Sequence, residues 1–273
     1  MSVEPSQGLG HGARLAGYFA TESMRTGESE VSTWLQVRDD LRDAHGGVRI
    51  GPIVYSIDVA TGLAMGVTVL ADDRWVVTTD VDVRLITPVI AGPVRVDAEV
   101  LRAGATTAVS SFTLHDESTG QVVGGGTCTG RPFPFEFDRR QLDVPLGVRR
   151  LHAPTEIFEA ESLPQYLGLR IAEGGGVEVE IGDWLRNPWG ILHGGVTSCL
   201  VDVSAEAAGA AALGRPVRVA DTTVRFLAPG RVGPARAVPR VLTRGDGTAL
   251  IEVKVTDAGA NDRLLAVAAA VVI

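Results

Sequence analysis

An amide, a glycine turn and a carboxylate fall within one short stretch of the chain, Asn187-Pro-Trp-Gly-Ile-Leu-His193-Gly194-Gly195-Val-Thr-Ser-Cys-Leu-Val-Asp202. The alanine-rich, proline-free run from Val203 to Leu213 follows, so the stretch reads as a loop entering a helix. The N–H groups of a first helical turn have no intrahelical partner and favour developing negative charge, and glycine lets a ligand approach them closely. Such an end can hold an oxyanion. A carboxylate beside it can activate water as a general base or attack as a nucleophile, and the residues alone do not choose between these. If the helix begins near Gly194, Asp202 lies roughly 12 Å along the axis at 1.5 Å per residue. One helix therefore cannot bring that carboxylate to its own first turn.

The elements that would position these groups occur twice. Residues 1–30 carry little pattern beyond a short helical piece near Leu15 to Met24 and are read as an N-terminal extension. Alternation marks a strand over Val31 to Val37, and Pro52 opens a helix from Ile53 to about Met65. Trp75 to Ile86 follows, with Val77, Thr79, Val81, Val83 and Leu85 facing one way. Three more strands are expected over Val94 to Leu101, Thr107 to Leu114 and Gln121 to Cys128, separated by turn-forming residues. After a connector, Arg131 to Arg150, the order begins again. Asp40 to Asp43 matches Trp184 to Asn187, and Ile57-Asp58-Val59 matches Val201-Asp202-Val203. Val83 to Pro88 matches Val224 to Pro229, Val100 to Gly104 matches Val241 to Gly245, and Leu114 to Asp116 matches Val255 to Asp257. The offset is 144 and then 141. This spacing divides the chain into a first unit at 31–132, a linker at 133–150 and a second unit at 151–273.

With Asn187, six residues to His193-Gly-Gly, nine more to Asp202, then Phe226-Leu-Ala-Pro229 and Gly233, the second unit resembles the hotdog-fold acyl-CoA thioesterases, in particular the PaaI-like branch. The first unit resembles them more weakly. The resemblance implies an α+β fold of two tandem hotdog domains, each a curled antiparallel sheet wrapped around a long central helix, paired as an intramolecular dimer. It also implies that the thioester carbonyl is held by the Asn187 side chain and the Gly194 N–H, while the carboxylate comes from the helix of the facing unit, helped by a Ser or Thr.

Position by position, Asp43 stands in the first unit where Asn187 stands in the second, and Arg49 and Ile50 replace His193 and Gly194. His45-Gly46-Gly47 lies four residues too early to substitute for the missing turn. The second unit has Val219 where the family has Ser or Thr, and the first has Thr78 there. These departures are complementary. They predict one composite catalytic site of Asn187 and Gly194 with Asp58 and Thr78, and an opposite, degenerate site of Asp202 and Val219 facing Arg49 and Ile50. His193 is expected either to shape the loop or to take part in proton transfer. For the phosphates of coenzyme A the candidates are Arg84 and Arg225 on matched strands, with Arg131, Arg149 and Arg150 in the connector.

Composition narrows the classes. A chain of 273 residues, 45% hydrophobic, is ample for a large core, and a net charge of −8 argues against general nucleic-acid binding. Two cysteines without a CxxC pair fit a reducing compartment and suggest no zinc. No secretory signal is visible, and the longest apolar run, Leu264 to Ile273, is too short to span a bilayer. A cytoplasmic hydrolase of acyl-CoA is expected, without metal or redox cofactor, without membrane insertion, and with possible homo-oligomers of the double unit. The alternatives are a noncatalytic acyl-CoA or acyl-chain binding protein and, more weakly, a hotdog hydratase, for which no Asp-x4-His motif is found.

Overall fold

The computed structural model describes residues 13–70, 73–134, 145–151, 160–172 and 176–273. In chain order, α1 (Ala13–Phe19), β1 (Glu22–Arg25) and β2 (Glu30–Leu35) lead to the long helix α2 (Ile50–Val69), then β3 (Arg74–Leu85), β4 (Val94–Ala103), β5 (Ala108–Asp116) and β6 (Gln121–Pro134). A second run has β7 (Arg150–Leu151), α3 (Leu163–Leu167), β8 (Arg170–Ile171) and β9 (Val177–Val179) before the long helix α4 (Gly194–Leu213), then β10 (Val219–Phe226), β11 (Ala235–Gly245), β12 (Thr248–Asp257) and β13 (Arg263–Val272).

The strands form one sheet, ordered β7-β1-β2-β4-β5-β6-β3-β10-β13-β12-β11-β9-β8. Its halves join where β3 runs antiparallel to β10, with Asp82 opposite Thr223 and Val81 opposite Val224. Asp82 and Thr223 are themselves partners at the 141 offset, so the junction sits on a local two-fold. A register shift between Thr78 and Asp80 on β3 has its counterpart between Val219 and Asp221 on β10.

Both long helices are apolar on nearly every face because each lies between a half-sheet and the other helix. Ile53, Ile57, Ala60 and Met65 of α2 are fully buried, as are Val196, Leu200 and Ala205 of α4. Each is long and apolar enough to cross a membrane, yet 78% of the α2 window and 56% of the α4 window is buried within the protein. Complete burial of a large aliphatic side chain is worth about 1.5–3 kcal/mol, so these helices form the centre of the core. They cross antiparallel at two glycines. A Cβ on Gly195 would come within 2.5 Å of the Tyr55 ring, and one on Gly51 within 2.8 Å of the Cys199 backbone. Only glycine permits that approach, and it sets each helix's first turn against the middle of its partner.

Several expected boundaries move. The first long helix starts at Ile50 rather than Ile53, with Pro52 inside its first turn where no helical N–H is needed. Leu15 to Met24 is not one helical piece but α1 followed by β1. Arg131 to Pro134 belong to β6, not to a connector, and residues 135–144 of the expected linker lie outside the described residues. The unbroken alternation expected through β3 fails at the register shift, where an extra residue flips the pleat. The shift brings Thr78 onto the helix-facing side with Val81.

Candidate active site

The loop before α4 is organised by Asn187. Its Oδ1 accepts the N–H of Trp189 at 3.1 Å and of Ile191 at 3.3 Å, and its own N–H donates to the Ile191 carbonyl at 2.8 Å. Asp43 does the same in the first half, accepting from His45 at 2.8 Å and Gly47 at 3.2 Å. His45-Gly46-Gly47 is therefore the counterpart of Trp189-Gly190-Ile191 and not a displaced His-Gly-Gly. With Oδ1 committed to the loop, Asn187 has its Nδ2 to offer to the cavity it lines, a donor that Asp43 lacks.

His193 is the N-cap of α4, and its Nδ1 accepts the Gly195 N–H at 3.0 Å. The N–H groups of Val196 and Thr197 go to the His193 carbonyl. Gly194 is the first-turn donor that these local bonds leave for a ligand. Burial lowers the His193 imidazole below its ordinary value, against an opposing pull from Asp58. A neutral ring accepting at Nδ1 cannot form an ion pair through that atom, so its 3.6 Å approach to Asp58 Oδ2 is a contact between two acceptors. The geometry thus favours loop shaping over proton transfer for His193.

Asp58 reaches this end of α4 from α2. Its Oδ2 lies 3.2 Å from where a Gly194 Cβ would stand, and its Oδ1 accepts the Thr78 hydroxyl at 2.6 Å. Asp58, Thr78, Asn187, His193 and Gly194 all line one cavity of about 790 Å³. The carboxylate is fixed by a hydroxyl, faces a helix N-terminus, and is 17% exposed to the cavity. Such a set can hold an electrophilic carbonyl between hydrogen-bond donors and a base or nucleophile.

The opposite position is filled. Asp202 is only 3% exposed, accepts the Gly51 N–H at 3.2 Å, and lies 3.6 Å from Arg49 Nη1. The same Arg49 nitrogen pairs with Glu206. Burial pushes the Asp202 carboxyl up to about 6, against the attraction of Arg49. The residue at the place of Thr78 is Val219, which is buried and offers no hydroxyl. Asp202, expected from sequence among the catalytic candidates, thus lies apart from the cavity.

The cations are also redistributed. Arg84 and Arg225 are not at the cavity: Arg84 pairs with Asp82 at 2.6 Å and Asp221 at 3.3 Å, and Arg225 pairs with Asp80. Arg149 pairs with Glu22 and stacks over Trp34, and Arg150 is exposed in β7. Arg131 does line the cavity, together with Arg231, which sequence reasoning missed. The Arg231 loop is held by Asp257, whose carboxylate accepts the N–H groups of Arg231, Val232 and Gly233 at 2.9, 3.0 and 2.7 Å. Burial works to raise that carboxyl, but these bonds prevail and keep it below the usual range. The repeat block ending at Asp257 was the available signal.

Residues 190–262 match the thioesterase superfamily. No curated protein matches the sequence. Among solved structures, a Lactobacillus plantarum protein assigned as an oleoyl thioesterase is 12% identical, covering 88% of this chain and 94% of its own, with a TM-score of 0.60. The 12:0-ACP thioesterase of Umbellularia californica is 9% identical, covering 90% and 94%, with a TM-score of 0.59. An acyl-ACP thioesterase of Bacteroides thetaiotaomicron is 9% identical, covering 90% and 98%, with a TM-score of 0.57. The fold is therefore the hotdog-like fold of thioesterases. Residues 190–262, from the turn before α4 to the turn before β13, carry the superfamily match.

Proposed function

We propose that this chain is an acyl-CoA thioesterase of the PaaI-like kind, built from two hotdog units in tandem at 31–132 and 151–273, with one working site between them. The observation that carries the reading is the meeting of Asp58 and Thr78, from the first unit, with Asn187 and Gly194, from the second, in one cavity. The tandem reading is supported by the repeated order of elements and by solved relatives that cover both halves of the chain.

The thioester carbonyl accepts from Asn187 Nδ2 and the Gly194 N–H. Asp58 either takes a proton from water as it attacks that carbon, or attacks directly to form an anhydride that water then opens. In both routes charge grows on the carbonyl oxygen, where a preorganised donor is worth ~10²–10³ in rate. The C–S bond breaks, the thiol leaves as coenzyme A, and the acid remains. Thr78 holds the Asp58 carboxylate on the cavity side, and Arg131 and Arg231 supply cations for the carrier phosphates. Two of the solved relatives are acyl-ACP thioesterases, so the carrier is tested alongside.

Thiol release from acyl-CoA and acyl carrier protein thioesters is measured in wild type, Asp58→Asn and Asp202→Asn. Asp58→Asn is expected to lose ~10²–10⁴ in rate, and Asp202→Asn to stay within a few-fold of wild type. Activity retained in the first and lost in the second sinks the composite site, and release from no thioester sinks the activity itself.

A further inference from the structure

Both backbone groups of Arg231 are taken by charged side chains. Its N–H goes to the Asp257 carboxylate at 2.9 Å, and its carbonyl accepts from Arg186 Nη2, also at 2.9 Å. The Arg231 side chain is left exposed at the cavity. Arg186 is only 17% exposed, and its guanidinium spreads over two more carbonyls, that of Gly190 at 2.7 Å from Nη1 and that of Ile181 at 3.0 Å from Nη2. Gly190 lies inside the Asn187 loop, and its N–H goes back to the Asn187 carbonyl at 2.9 Å. Arg186 also stands opposite Leu192 at the base of that loop, and the Leu192 N–H donates to the Gly230 carbonyl at 2.9 Å. One planar, permanently charged fork and one backbone bond thus join the loop that carries the Asn187 amide to the loop that carries Arg231.

The first half has the same tie without the groups that would use it. Arg42 Nη1 donates to the Gly46 and Ile90 carbonyls at 2.6 and 2.8 Å, and the Val48 N–H donates to the Val89 carbonyl at 2.9 Å. There the two loops carry Asp43 and Ile90 in place of Asn187 and Arg231. Asp116, the counterpart of Asp257, turns its carboxylate to the Ser118 N–H and hydroxyl at 2.9 and 2.6 Å. The tie itself is therefore part of the fold, while the Asp257 clasp on the next loop belongs to the half with Arg231 at the cavity.

We propose that Arg186 is a positioning residue that couples the two ends of the substrate. With the Arg231 peptide clasped between Arg186 and Asp257, a carrier phosphate bound by Arg231 orders the Asn187 loop, so that remote binding energy is realised in turnover and not only in affinity. Arg186 is not among the residues lining the cavity, and it acts through the Gly190 and Arg231 carbonyls. This assignment rests on the thioesterase reading above, and its test keeps the two apart.

The kcat for the CoA thioester is compared with that for the N-acetylcysteamine thioester of the same acyl group, which lacks the phosphates, in wild type, Arg186→Gln, Arg231→Ala and the double variant. Wild type is expected to favour the CoA thioester by ~10–10² in kcat, the scale on which small misplacements of reacting groups act. Either single substitution removes most of that advantage, and the double variant removes no more than one alone. Arg42→Gln cuts the equivalent tie in the first half and is expected to lower Tm comparably while leaving the advantage as in wild type. Deuterium uptake at residues 187–193 gives a second reading that needs no turnover. Adenosine 3′,5′-bisphosphate, which carries phosphates without the pantetheine arm, is expected to slow uptake there in wild type and not in Arg186→Gln that calorimetry shows to be saturated. Arg186→Lys keeps the charge but not the fork, and gives the same two readings if the glutamine variant fails to fold. A wild-type kcat equal for the two thioesters, a loss in Arg186→Gln shared equally by both, uptake that the nucleotide does not slow in wild type, or protection that survives the substitution overturns the coupling. Protection lost in Arg186→Gln with no thioester hydrolysed by wild type supports the coupling and overturns the activity.

Discussion

Arg49 holds the buried Asp202 carboxylate and the half-buried Glu206 carboxylate with one guanidinium, so its removal is the sharpest perturbation of the half of the molecule proposed to be structural. In Arg49→Met, Asp202 and Glu206 keep their burial and lose their cation. Taking one partner from a buried ion pair costs about 3–5 kcal/mol. At roughly 2–4 °C per kcal/mol for a chain of this size, Tm falls by roughly 6–20 °C. The loss depends on pH with a defined sign. The folded Asp202 carboxyl is raised to about 6 from 3.8, so its contribution to stability is full below pH 3.8 and is lost as pH rises through about 6. Without Arg49 the folded value climbs further, and the variant loses more on going from pH 5 to pH 8 than wild type does. Thermal unfolding of both proteins at the two pH values reads this directly, with the Tm gap expected to be wider at pH 8. Acyl-CoA hydrolysis per folded molecule is expected to stay within a few-fold, because the cluster lies outside the cavity. A Tm gap that is equal at both pH values, or narrower at pH 8, refutes the idea that Arg49 serves to hold the Asp202 charge.

Asn187→Asp keeps the loop, as Asp43 demonstrates in the first half, but removes the Nδ2 donor; Tm should hold while kcat falls ~10²–10³. A variant that loses its fold, or that keeps kcat, contradicts the division of labour between the two ends of that amide. His193→Asn preserves an N-cap and should keep most activity, whereas His193→Ala should cost about 1 kcal/mol in chemical denaturation. A pH–rate profile that loses a limb in His193→Asn would instead give the imidazole a proton-transfer role.

The repeat made most of the architecture legible, because matched blocks such as Asp40 to Asp43 with Trp184 to Asn187 survive in one order, at offsets of 144 and then 141. The family resemblance, applied to the repeat, implies that Asp58 sits at the Gly194 end of the other helix, and the structure brings the two to one cavity. Three features escaped for physical reasons. The β3 register shift is invisible in the strand's composition, since Val77, Thr79 and Val81 alternate correctly on paper, and only pairing with β6 reveals the extra residue. The ion pairs of Arg84 and Arg225 depend on β3–β10 pairing, so a matched position looked like a phosphate site when it was a cross-strand carboxylate contact. Arg186 carried no motif at all. Its meaning lies in which carbonyls its guanidinium meets, which spacing along the chain does not encode.

On the proposed reading, the antiparallel crossing of α2 and α4 accounts for a divided site and for a single working copy. Each helix presents its first turn to the middle of the other, so each carboxylate serves its partner's N-terminus and never its own. On one side the donor that meets the carboxylate is still available to a ligand. On the other, the Gly51 N–H, counterpart of the Gly195 N–H that His193 accepts, goes to Asp202 itself, and Arg49 supplies the countercharge that a buried carboxylate requires. The geometry proposed to hold an oxyanion between a helix end and an acid thus closes on itself once the cap residue is a cation. Asp202 contributes charge to the core, while Asp58 keeps an open space in which chemistry can occur.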